Sequence, residues 1–332
     1  MIGFIFYLCG FLFLFSLLSY IIPQIMISIL PEQNLKKRYG KSWAFITGGS
    51  SGIGRSLAFK LAKQGMNLII VGRAGEKMEN TVHEIQTKFK DIQVKSVFAD
   101  LSADPVVTTQ AVLQQIEGLD ISFIALNAGS GVPERMSRPN AKSLDLFHLN
   151  IVTHQHLFNA LYPQLAKRPK QNNSKFRGGV LITSSANAVF TAPFVASYSA
   201  AKAYQQHFAE CLSLEAKVIG IDVVTVVPGG VATRFHIDAP PTDIKLPAPT
   251  NGQHPDAVAS RALSSLGRFV ECDSGLMPFG LRILAKIFDR NILLKIMMAV
   301  LPKTSLITPY VDENGNDRDA VYPESSNSKS SE

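Results

Sequence analysis

The stretch WAFITGGSSGIG, residues 43–54, constrains the fold of this chain more than any other feature. A short apolar run of strand-forming residues ends at Thr47, a glycine-rich turn follows, and apolar residues at helical spacing continue from Arg55. Glycines let the backbone approach a pyrophosphate closely, and the start of a helix offers unpaired N–H groups and the positive end of its dipole. The stretch therefore predicts a strand, a turn and a helix that together bind a dinucleotide.

This turn supplies the largest group of predicted cofactor contacts. Its glycines are spaced G-x-x-x-G-x-G, which differs from the G-x-G-x-x-G of the commonest dinucleotide fingerprint. The alternative is that the glycines only permit close packing of the helix on the strand. The residues assigned to cofactor binding here are Gly48, Ser50, Ser51, Gly52, Ile53 and Gly54.

The end of the next predicted strand, residues 67–72, indicates which dinucleotide binds. A carboxylate at this position would accept hydrogen bonds from the ribose hydroxyls of NAD, whereas this chain has Arg73. A guanidinium there favours the 2′-phosphate of NADP, so NADP(H) is the expected cofactor. The alternative is a solvated arginine at the end of a strand.

Two further strands end in residues that are candidates for cofactor binding. Asp100 follows the predicted strand 94–99 and would either hydrogen-bond an adenine amine or cap the next helix. The fourth strand, residues 121–126, runs into Asn127 and two small residues, which would leave space beside the cofactor.

The predicted chemistry lies in the second half of the chain. Tyr198 and Lys202 are four residues apart on a predicted helix and share one of its faces. A lysine cation beside a phenol would lower the pKa of the tyrosine, so that it exchanges a proton near neutral pH. Ser185, at the end of the strand 179–183, would hydrogen-bond the same substrate oxygen. Asn150 lies in a predicted helical stretch, where asparagine is unfavourable, so a functional reason for it is a candidate. The alternative interpretation is that it caps the helix or lies on its polar face.

These motifs together resemble the short-chain dehydrogenase/reductase family over residues 40–235. The resemblance rests on the T-G-x-x-x-G-I-G turn, the acid after the third strand, the Asn-Ala-Gly triplet and the Tyr-x-x-x-Lys pair, whose tyrosine follows Ser185 by thirteen residues. It implies an α/β fold with a doubly wound parallel sheet of Rossmann type.

The family resemblance also implies a role for each residue of a four-member site. Tyr198 would be the general acid in reduction, and Lys202 would bind the nicotinamide ribose while lowering the tyrosine pKa. Ser185 would hold the carbonyl oxygen, and Asn150 would anchor a water that relays protons to Lys202. Further cofactor contacts are implied for Tyr198, Lys202, Pro228, Val231 and Thr233.

A closer resemblance is to the membrane-anchored reductases that include the very-long-chain 3-oxoacyl-CoA reductases and related 17β-hydroxysteroid dehydrogenases. It rests on residues 38–40, 61–66, 231–233 and 294–297. It implies NADPH-dependent reduction of a 3-oxo group on a very-long-chain acyl-CoA during fatty acid elongation. Reduction of a steroid ketone or of 3-ketosphinganine is an enzymatic alternative, and a non-catalytic NADP- or lipid-binding membrane protein is an alternative of another class.

The amino terminus indicates where the enzyme would work. Residues 1–31 contain no charged side chain and can cross a bilayer as a helix, so residues 1–30 are the predicted transmembrane anchor. A cleaved signal peptide is the alternative, but no basic n-region or small-residue cleavage site is present. Basic residues at 36–38 follow the segment, which places the catalytic domain in the cytosol, and the resemblance implies the endoplasmic reticulum membrane.

Composition and charge complete the expected organisation. The 332 residues carry a formal charge of +7, but the basic residues are scattered, which argues for a membrane surface and against nucleic acid. Three distant cysteines exclude a zinc site, so no metal is expected. Residues 40–270 are the predicted catalytic domain, residues 271–310 an amphipathic region on the membrane, over the substrate or in an interface, and residues 311–332 a disordered tail.

Partners and the pocket are the last expectations. The predicted partners are the membrane and a lipid or acyl-CoA substrate, with a second copy of the chain or elongation-complex proteins as further candidates. The substrate pocket is expected to be built largely by residues 230–280, which include a proline-rich stretch.

Overall fold

The fold is organised around one sheet of seven parallel strands, as seen in a computed structural model that describes residues 2–170, 175–235, 237–244 and 252–311. The strand order β3-β2-β1-β4-β5-β6-β7 confirms the doubly wound, Rossmann-type sheet predicted from sequence. The strands are β1 (Trp43–Thr47), β2 (Asn67–Gly72), β3 (Val94–Phe98), β4 (Ile121–Leu126), β5 (Gly178–Thr183), β6 (Ile221–Pro228) and β7 (Glu271–Ser274).

Helices cover both faces of the sheet. Side chains of β1 alternate between two apolar cores, because Ala44 and Ile46 face one core and Phe45 faces the other. The helices are α1 (Ile2–Ile29), α2 (Leu35–Tyr39), α3 (Gly52–Lys63), α4 (Glu76–Lys88), α5 (Pro105–Gln115), α6 (Ser143–Phe147), α7 (Thr153–Lys167), α8 (Ala196–Ile219), α9 (Pro255–Ser265), α10 (Leu276–Ile287) and α11 (Arg290–Val300).

The site is positioned by the point at which the strand order reverses. β1 pairs with β2 on one side and with β4 on the other, so the connections leave β1 and β4 in opposite directions. A crevice forms there at the carboxyl ends of parallel strands, which is where open α/β sheets bind ligands. The glycine turn after β1 and the triplet after β4 both lie at this edge.

Two elements differ from the sequence-based expectation. Strand β7 was not predicted: it pairs with β6 at the edge of the sheet, and its sequence Glu-Cys-Asp-Ser shows no apolar pattern. The helical stretch around Asn150 is also interrupted by a π turn, His148–Val152, between α6 and α7. Such turns are frequent at functional sites because they displace backbone groups from the helical ladder.

Helix α1 has two differently exposed parts. Its length and apolar composition are sufficient for a membrane span, and large apolar side chains are exposed along it, including Phe4 and Phe11. Near its carboxyl end, however, Ile27 is buried and the Tyr20 hydroxyl donates a 2.7 Å hydrogen bond to Asp273 Oδ2. The end of α1 is therefore packed on the catalytic domain.

The predicted amphipathic region folds as two helices, α10 and α11. Large apolar side chains are exposed on both, among them Ile287, Ile292 and Ile296. Arg282 instead points into the domain, where it pairs with Asp273 and Glu271 at 2.9 Å each. The predicted disordered tail lies outside the described residues, apart from Val311.

Candidate active site

The structure brings the four predicted catalytic residues together at the carboxyl edge of the sheet. Tyr198 and Lys202 lie one turn apart on α8, with Lys202 Nζ 5.8 Å from the centre of the tyrosine ring. Asn150 joins them from the π turn, since a Cβ on Gly129 would lie 3.0 Å from Asn150 Oδ1 and 3.1 Å from Lys202 Nζ. A side chain at position 129 would crowd both, so each would have to shift by a few tenths of an ångström.

Ser185 completes the set after the end of β5. It begins the short 3₁₀ turn Ala186–Ala188, and its Oγ accepts a 3.3 Å hydrogen bond from the Asn187 N–H. This turn holds the hydroxyl at the mouth of the crevice, where it also hydrogen-bonds the Tyr198 phenol. A carbonyl oxygen placed there would meet two hydroxyl groups.

The ionisation of Tyr198 differs from the sequence-based expectation. Burial raises the pKa of the Tyr198 phenol to about 12, and the hydrogen bond from Ser185 lowers it only in part. The net lowering of the Tyr198 pKa that was expected from Lys202 is not reached, because loss of hydration disfavours the phenolate more than its neighbours stabilise it. At neutral pH the phenol therefore carries its proton.

Lys202 is a buried cation with neutral partners. Its Nζ donates to the Thr183 carbonyl at 2.9 Å and to Gln205 Oε1 at 2.8 Å. Burial lowers the pKa of the Lys202 ammonium to about 7. Lys202 therefore changes its charge near physiological pH, as expected of a group that takes part in proton chemistry.

Sequence reasoning missed Gln205, which links two of the four residues. Its Nε2 donates a 2.7 Å hydrogen bond to the Asn150 carbonyl, while its Oε1 accepts from Lys202. Asn150 uses its own amide to donate to the Ser130 and Leu146 carbonyls at 2.7 Å each. The only sequence signal for Gln205 is its place three residues after Lys202, on the same helix face.

His154, one turn after Asn150, is a core residue. It is buried, and its Nε2 lies 3.0 Å from the Thr47 hydroxyl. Burial, together with the nearby charge of Lys202, lowers the pKa of the His154 imidazole to about 3. His154 is thus neutral and supports the floor of the site, whereas His148 is partly exposed and His156 exposed.

The glycine turn has features that fit a dinucleotide. Gly48 and Gly52 adopt left-handed backbone angles, φ +65° and +51°, which strain other residues. Ser51 precedes α3 and makes no side-chain hydrogen bond to the first helical turn, so it does not compete with an anion for those N–H groups. Thr233 borders the turn, with its methyl carbon 3.0 Å from where a Cβ on Gly52 would lie. The group expected here is the pyrophosphate.

The structure places the other predicted turn residues around this cradle. Ser50 lies beside the end of β2, with its Oγ 3.7 Å from where a Cβ on Gly72 would lie. Ile53 packs against the core, so only its backbone would face a ligand. Gly54 is the tightest position, because an added Cβ would collide with the Gly48 carbonyl. Gly54 therefore serves the close packing that the alternative interpretation required, beside any role toward a cofactor.

The remaining cofactor candidates differ in how far their side chains are already engaged. Burial alone would raise the pKa of the Asp100 carboxyl, but hydrogen bonds from Ser102 and the charge of the exposed Arg73 lower it on balance. Asp100 Oδ1 accepts from the Ser102 N–H and hydroxyl, and Asp104 caps the next helix instead. Asn127 ties β1 to β5, since its side chain donates to the Thr47 carbonyl and accepts from the Thr183 hydroxyl.

Pro228 and Val231 lie on the far side of the crevice, after β6. Pro228 is buried at the strand end, and Val231 forms an isolated bridge with Gln253. Gly229, between them, faces the start of α10, where a Cβ would lie 3.0 Å from Pro278 Cδ. The carboxyl-terminal helices thus begin directly beside the site.

A cavity of about 270 Å³, which includes space open to solvent, lies beside Tyr198. It is lined by residues 130–134, 143–150 and 197–201, so the expected wall from residues 230–280 is wrong for this cavity. The segment between β4 and α7 folds over the strand ends and supplies the wall instead. Glu134, which sequence reasoning missed, is buried here and accepts hydrogen bonds from Ser197 Oγ at 2.7 Å and Ser143 Oγ at 2.9 Å.

Solved structures share this fold. One described as a 7beta-hydroxysteroid dehydrogenase is 25% identical, with a TM-score of 0.68, and the match covers 80% of this chain and 99% of the other. A short-chain dehydrogenase from Sphingobium yanoikuyae, solved with NADPH, is 22% identical with a TM-score of 0.62, over 78% of this chain and 96% of the other.

Curated relatives carry one recurring description. A very-long-chain 3-oxoacyl-CoA reductase-like protein of Arabidopsis thaliana is 33% identical over 68% of this chain and 71% of that protein. Very-long-chain 3-oxoacyl-CoA reductases of Scheffersomyces stipitis and Bos taurus are 31% and 28% identical over 60% and 68% of this chain. The match spans 59% of the Scheffersomyces protein and 68% of the Bos taurus protein.

The family model described as short chain dehydrogenase matches residues 42–243, which is more than half of the chain. Those residues contain the glycine turn, all four residues of the site and the strands that position them. The chain therefore belongs to the short-chain dehydrogenase/reductase family.

Proposed function

We propose that this protein uses NADPH to reduce the 3-oxo group of a very-long-chain acyl-CoA to the 3-hydroxyacyl-CoA, a step of fatty acid elongation. The observation that carries the proposal is a protonated Tyr198 beside Ser185 and Lys202, at the end of a cavity. Relatives described as very-long-chain 3-oxoacyl-CoA reductases support the substrate class.

The site would carry out the reduction with its own proton donors. The chemistry that NADPH would supply is hydride donation to the carbonyl carbon. Ser185 hydrogen-bonds and polarises the carbonyl oxygen, and the Tyr198 phenol donates its proton to that oxygen. The Lys202 ammonium stabilises the phenolate that remains.

The raised pKa of Tyr198 suits this direction of reaction. An alkoxide is a stronger base than a phenolate, so a phenol with a pKa of about 12 still protonates it readily. In the reverse direction the phenol would have to lose its proton first, which burial disfavours. At neutral pH the resting enzyme therefore already holds the proton that reduction of a ketone consumes.

The preference for NADPH follows from the end of β2. Arg73 is exposed beside the cradle and offers a guanidinium to a 2′-phosphate, while Gly72 leaves no carboxylate there to repel it. The backbone of the glycine turn would hold the pyrophosphate, and Lys202 would bind the nicotinamide ribose. NADH lacks the phosphate that Arg73 would recognise.

The membrane is part of the proposed function, because it concentrates a substrate with a long acyl chain. Residues 2–18 of α1 would lie in the endoplasmic reticulum membrane, while the basic residues at 36–38 keep the catalytic domain in the cytosol. The exposed apolar residues of α10 and α11 would face the same membrane or a partner, and these helices begin beside the site. Protease protection in sealed microsomes tests this topology: the folded domain should be accessible without detergent.

The activity is tested with the full chain in lipid nanodiscs, NADPH and 3-oxoacyl-CoA esters of increasing length. The expected result is NADPH oxidation that becomes more efficient as the acyl chain lengthens, and much slower turnover with NADH. A 17-ketosteroid and 3-ketosphinganine are the competing substrates, and Tyr198→Phe is the control variant. Faster turnover of either competing substrate would replace the proposed substrate, and no Tyr198-dependent turnover of any of them would leave a non-catalytic binding protein.

A further inference from the structure

Gln205 is buried between two members of the catalytic set. Its Oε1 accepts from Lys202 Nζ at 2.8 Å, and its Nε2 donates to the Asn150 carbonyl at 2.7 Å. The same Nε2 lies 3.4 Å from His154 Nδ1. One amide therefore spans the gap between α8 and the π turn, and it touches both catalytic residues.

We propose that Gln205 is a positioning residue, which ties Lys202 to the Asn150 carbonyl and so keeps the lysine directed at Tyr198. This inference rests on the proposed ketone reduction. The family resemblance predicts a water anchored by Asn150 and relaying protons to Lys202, whereas here the Asn150 carbonyl accepts from a side chain. The Gln205 amide thus connects Lys202 to the Asn150 carbonyl, as the predicted water would. Unlike a water, it is covalently attached to α8.

The surrounding contacts explain why an amide suits this position. Lys202 is a donor and needs an acceptor, while the Asn150 carbonyl is an acceptor and needs a donor; only a side chain with both satisfies them together. The Asn150 side chain has partners of its own, since its amide donates to two carbonyls and its Oδ1 accepts from Ser130 N–H. Leucine or methionine at position 205 would leave two buried polar groups without this partner.

Gln205 also affects the charge of Lys202. The titratable groups that face Lys202 in the described chain are Tyr198 on the same helix and His154 on α7, and both are neutral at pH 7. The other contacts are neutral oxygens of Thr183 and Gln205. An oxygen acceptor binds an ammonium more strongly than an amine, so Gln205 Oε1 favours the charged form that stabilises the Tyr198 phenolate.

The test is the pH profile of kcat/KM, whose basic limb should follow the loss of the Lys202 proton. Two substitutions of Gln205 should move this limb in opposite directions. Gln205→Met keeps the length but removes both hydrogen bonds, so the limb should move to lower pH by about one pH unit. Gln205→Glu places a carboxylate against the ammonium, so the limb should move to higher pH by about one pH unit. In Gln205→Asn the side chain is too short to reach both partners, so this variant should shift the limb in the same direction as Gln205→Met. It replaces the methionine variant if that variant fails to fold.

Gln206→Met is the matched control, because Gln206 is the next residue of α8 and hydrogen-bonds Glu210 and Glu271 instead. Its limb should stay at the wild-type position. Opposite shifts for methionine and glutamate support the inference. An unmoved limb with only a uniform loss of rate overturns it and leaves Gln205 a merely structural residue. Absence of Tyr198-dependent turnover in the wild-type chain overturns the proposed function, and this inference with it.

Discussion

Two polar clusters of this protein each contain a tyrosine and a cation, but they differ in charge and in burial. The Tyr198 cluster consists of Tyr198, Lys202, Asn150 and Gln205, and its cation has only neutral oxygens as partners. The Asp273 cluster consists of Tyr20, Glu271, Asp273 and Arg282, and its cation pairs with two carboxylates. In the first cluster Tyr198 lies next to the cation Lys202. In the second, Tyr20 hydrogen-bonds Asp273, the carboxylate partner of Arg282.

The difference in partners separates a reactive cluster from a structural one. Burial lowers the pKa of Lys202 to about 7, because no carboxylate offsets the loss of hydration. Burial alone would also lower the pKa of the Arg282 guanidinium, but the charges of Asp273 and Glu271 raise it on balance. An uncompensated cation titrates near neutral pH and can serve chemistry, whereas a compensated one stays charged and joins elements.

The positions of the clusters agree with this division. The Tyr198 cluster lies in the crevice where the strand order reverses, at the carboxyl ends of central strands. The Asp273 cluster lies on the edge strand β7, where Tyr20 joins α1 to the domain. Arg261 strengthens the joint by donating to Ser28 Oγ, Gln24 Oε1 and the Asp273 carbonyl. Helix α1 is thus fixed to the rest of the protein by polar contacts as well as by the burial of Ile27.

The largest expected effect comes from Tyr198→Phe, which removes the proton donor from the first cluster. Loss of a general acid should lower kcat about 1,000-fold. The binding constant for NADPH, measured by quenching of Trp43 fluorescence, should change less than about threefold. Equal loss of binding and turnover would show that the phenol holds the cofactor instead of donating a proton.

Asp273→Asn, in the second cluster, should lower the stability of the protein and leave its turnover nearly unchanged. It leaves Arg282 facing a single carboxylate, and breaking a buried ion pair costs about 3 kcal/mol of stability. Urea unfolding in detergent measures this loss, while kcat per folded molecule should stay near the wild-type value. A large fall in kcat without loss of stability would contradict the division between the clusters.

Arg73→Glu should have the next smaller effect, and it tests the preference for NADPH over NADH. The carboxylate would repel the 2′-phosphate and bind ribose hydroxyls, so kcat/KM for NADPH should fall about 30-fold while that for NADH rises. Initial rates with each cofactor at a fixed substrate concentration provide the measurement. An unchanged ratio would make Arg73 the solvated strand-end arginine of the alternative interpretation.

Gly131→Ala is the mildest change to the first cluster. A Cβ at position 131 would lie 2.7 Å from Tyr198 Cδ2, so the tyrosine ring must move by a few tenths of an ångström. We expect a loss in kcat of about tenfold, since catalysis is sensitive to small misplacement of a proton donor. Gly280→Ala, where a Cβ meets no atom within 4 Å, is the control and should leave kcat unchanged.

Motifs that are contiguous in sequence predicted most of the fold and site. The glycine turn and the Tyr198–Lys202 pair each form within one strand–turn–helix or one helix, so their spacing encodes their geometry. Gln205 and the Asn150 carbonyl lie 55 residues apart, and their contact depends on how α8 packs on the π turn. No local pattern carries that information.

Other features could not be predicted because the residues involved contact partners that are far away in the sequence. Arg38 and Tyr39 matched a motif, and the structure shows that both hydrogen-bond Asp222, at the start of β6 and far along the chain. The strand β7 reads as polar because its acidic residues pair with Arg282 rather than with solvent. The pKa of Tyr198 was misjudged because burial cannot be read from a four-residue spacing.

The dependence of kcat/KM on pH tests the central claim most directly, which is that Lys202 acts as an uncompensated, titrating cation beside Tyr198. Because its pKa is lowered to about 7, the fraction of ammonium falls as the pH rises. The wild-type chain, reducing a long-chain 3-oxoacyl-CoA with NADPH, should lose activity between about pH 6 and about pH 9. Lys202→Arg keeps its charge over this range, so its lower activity should be independent of pH. The same basic limb in both proteins would contradict the account.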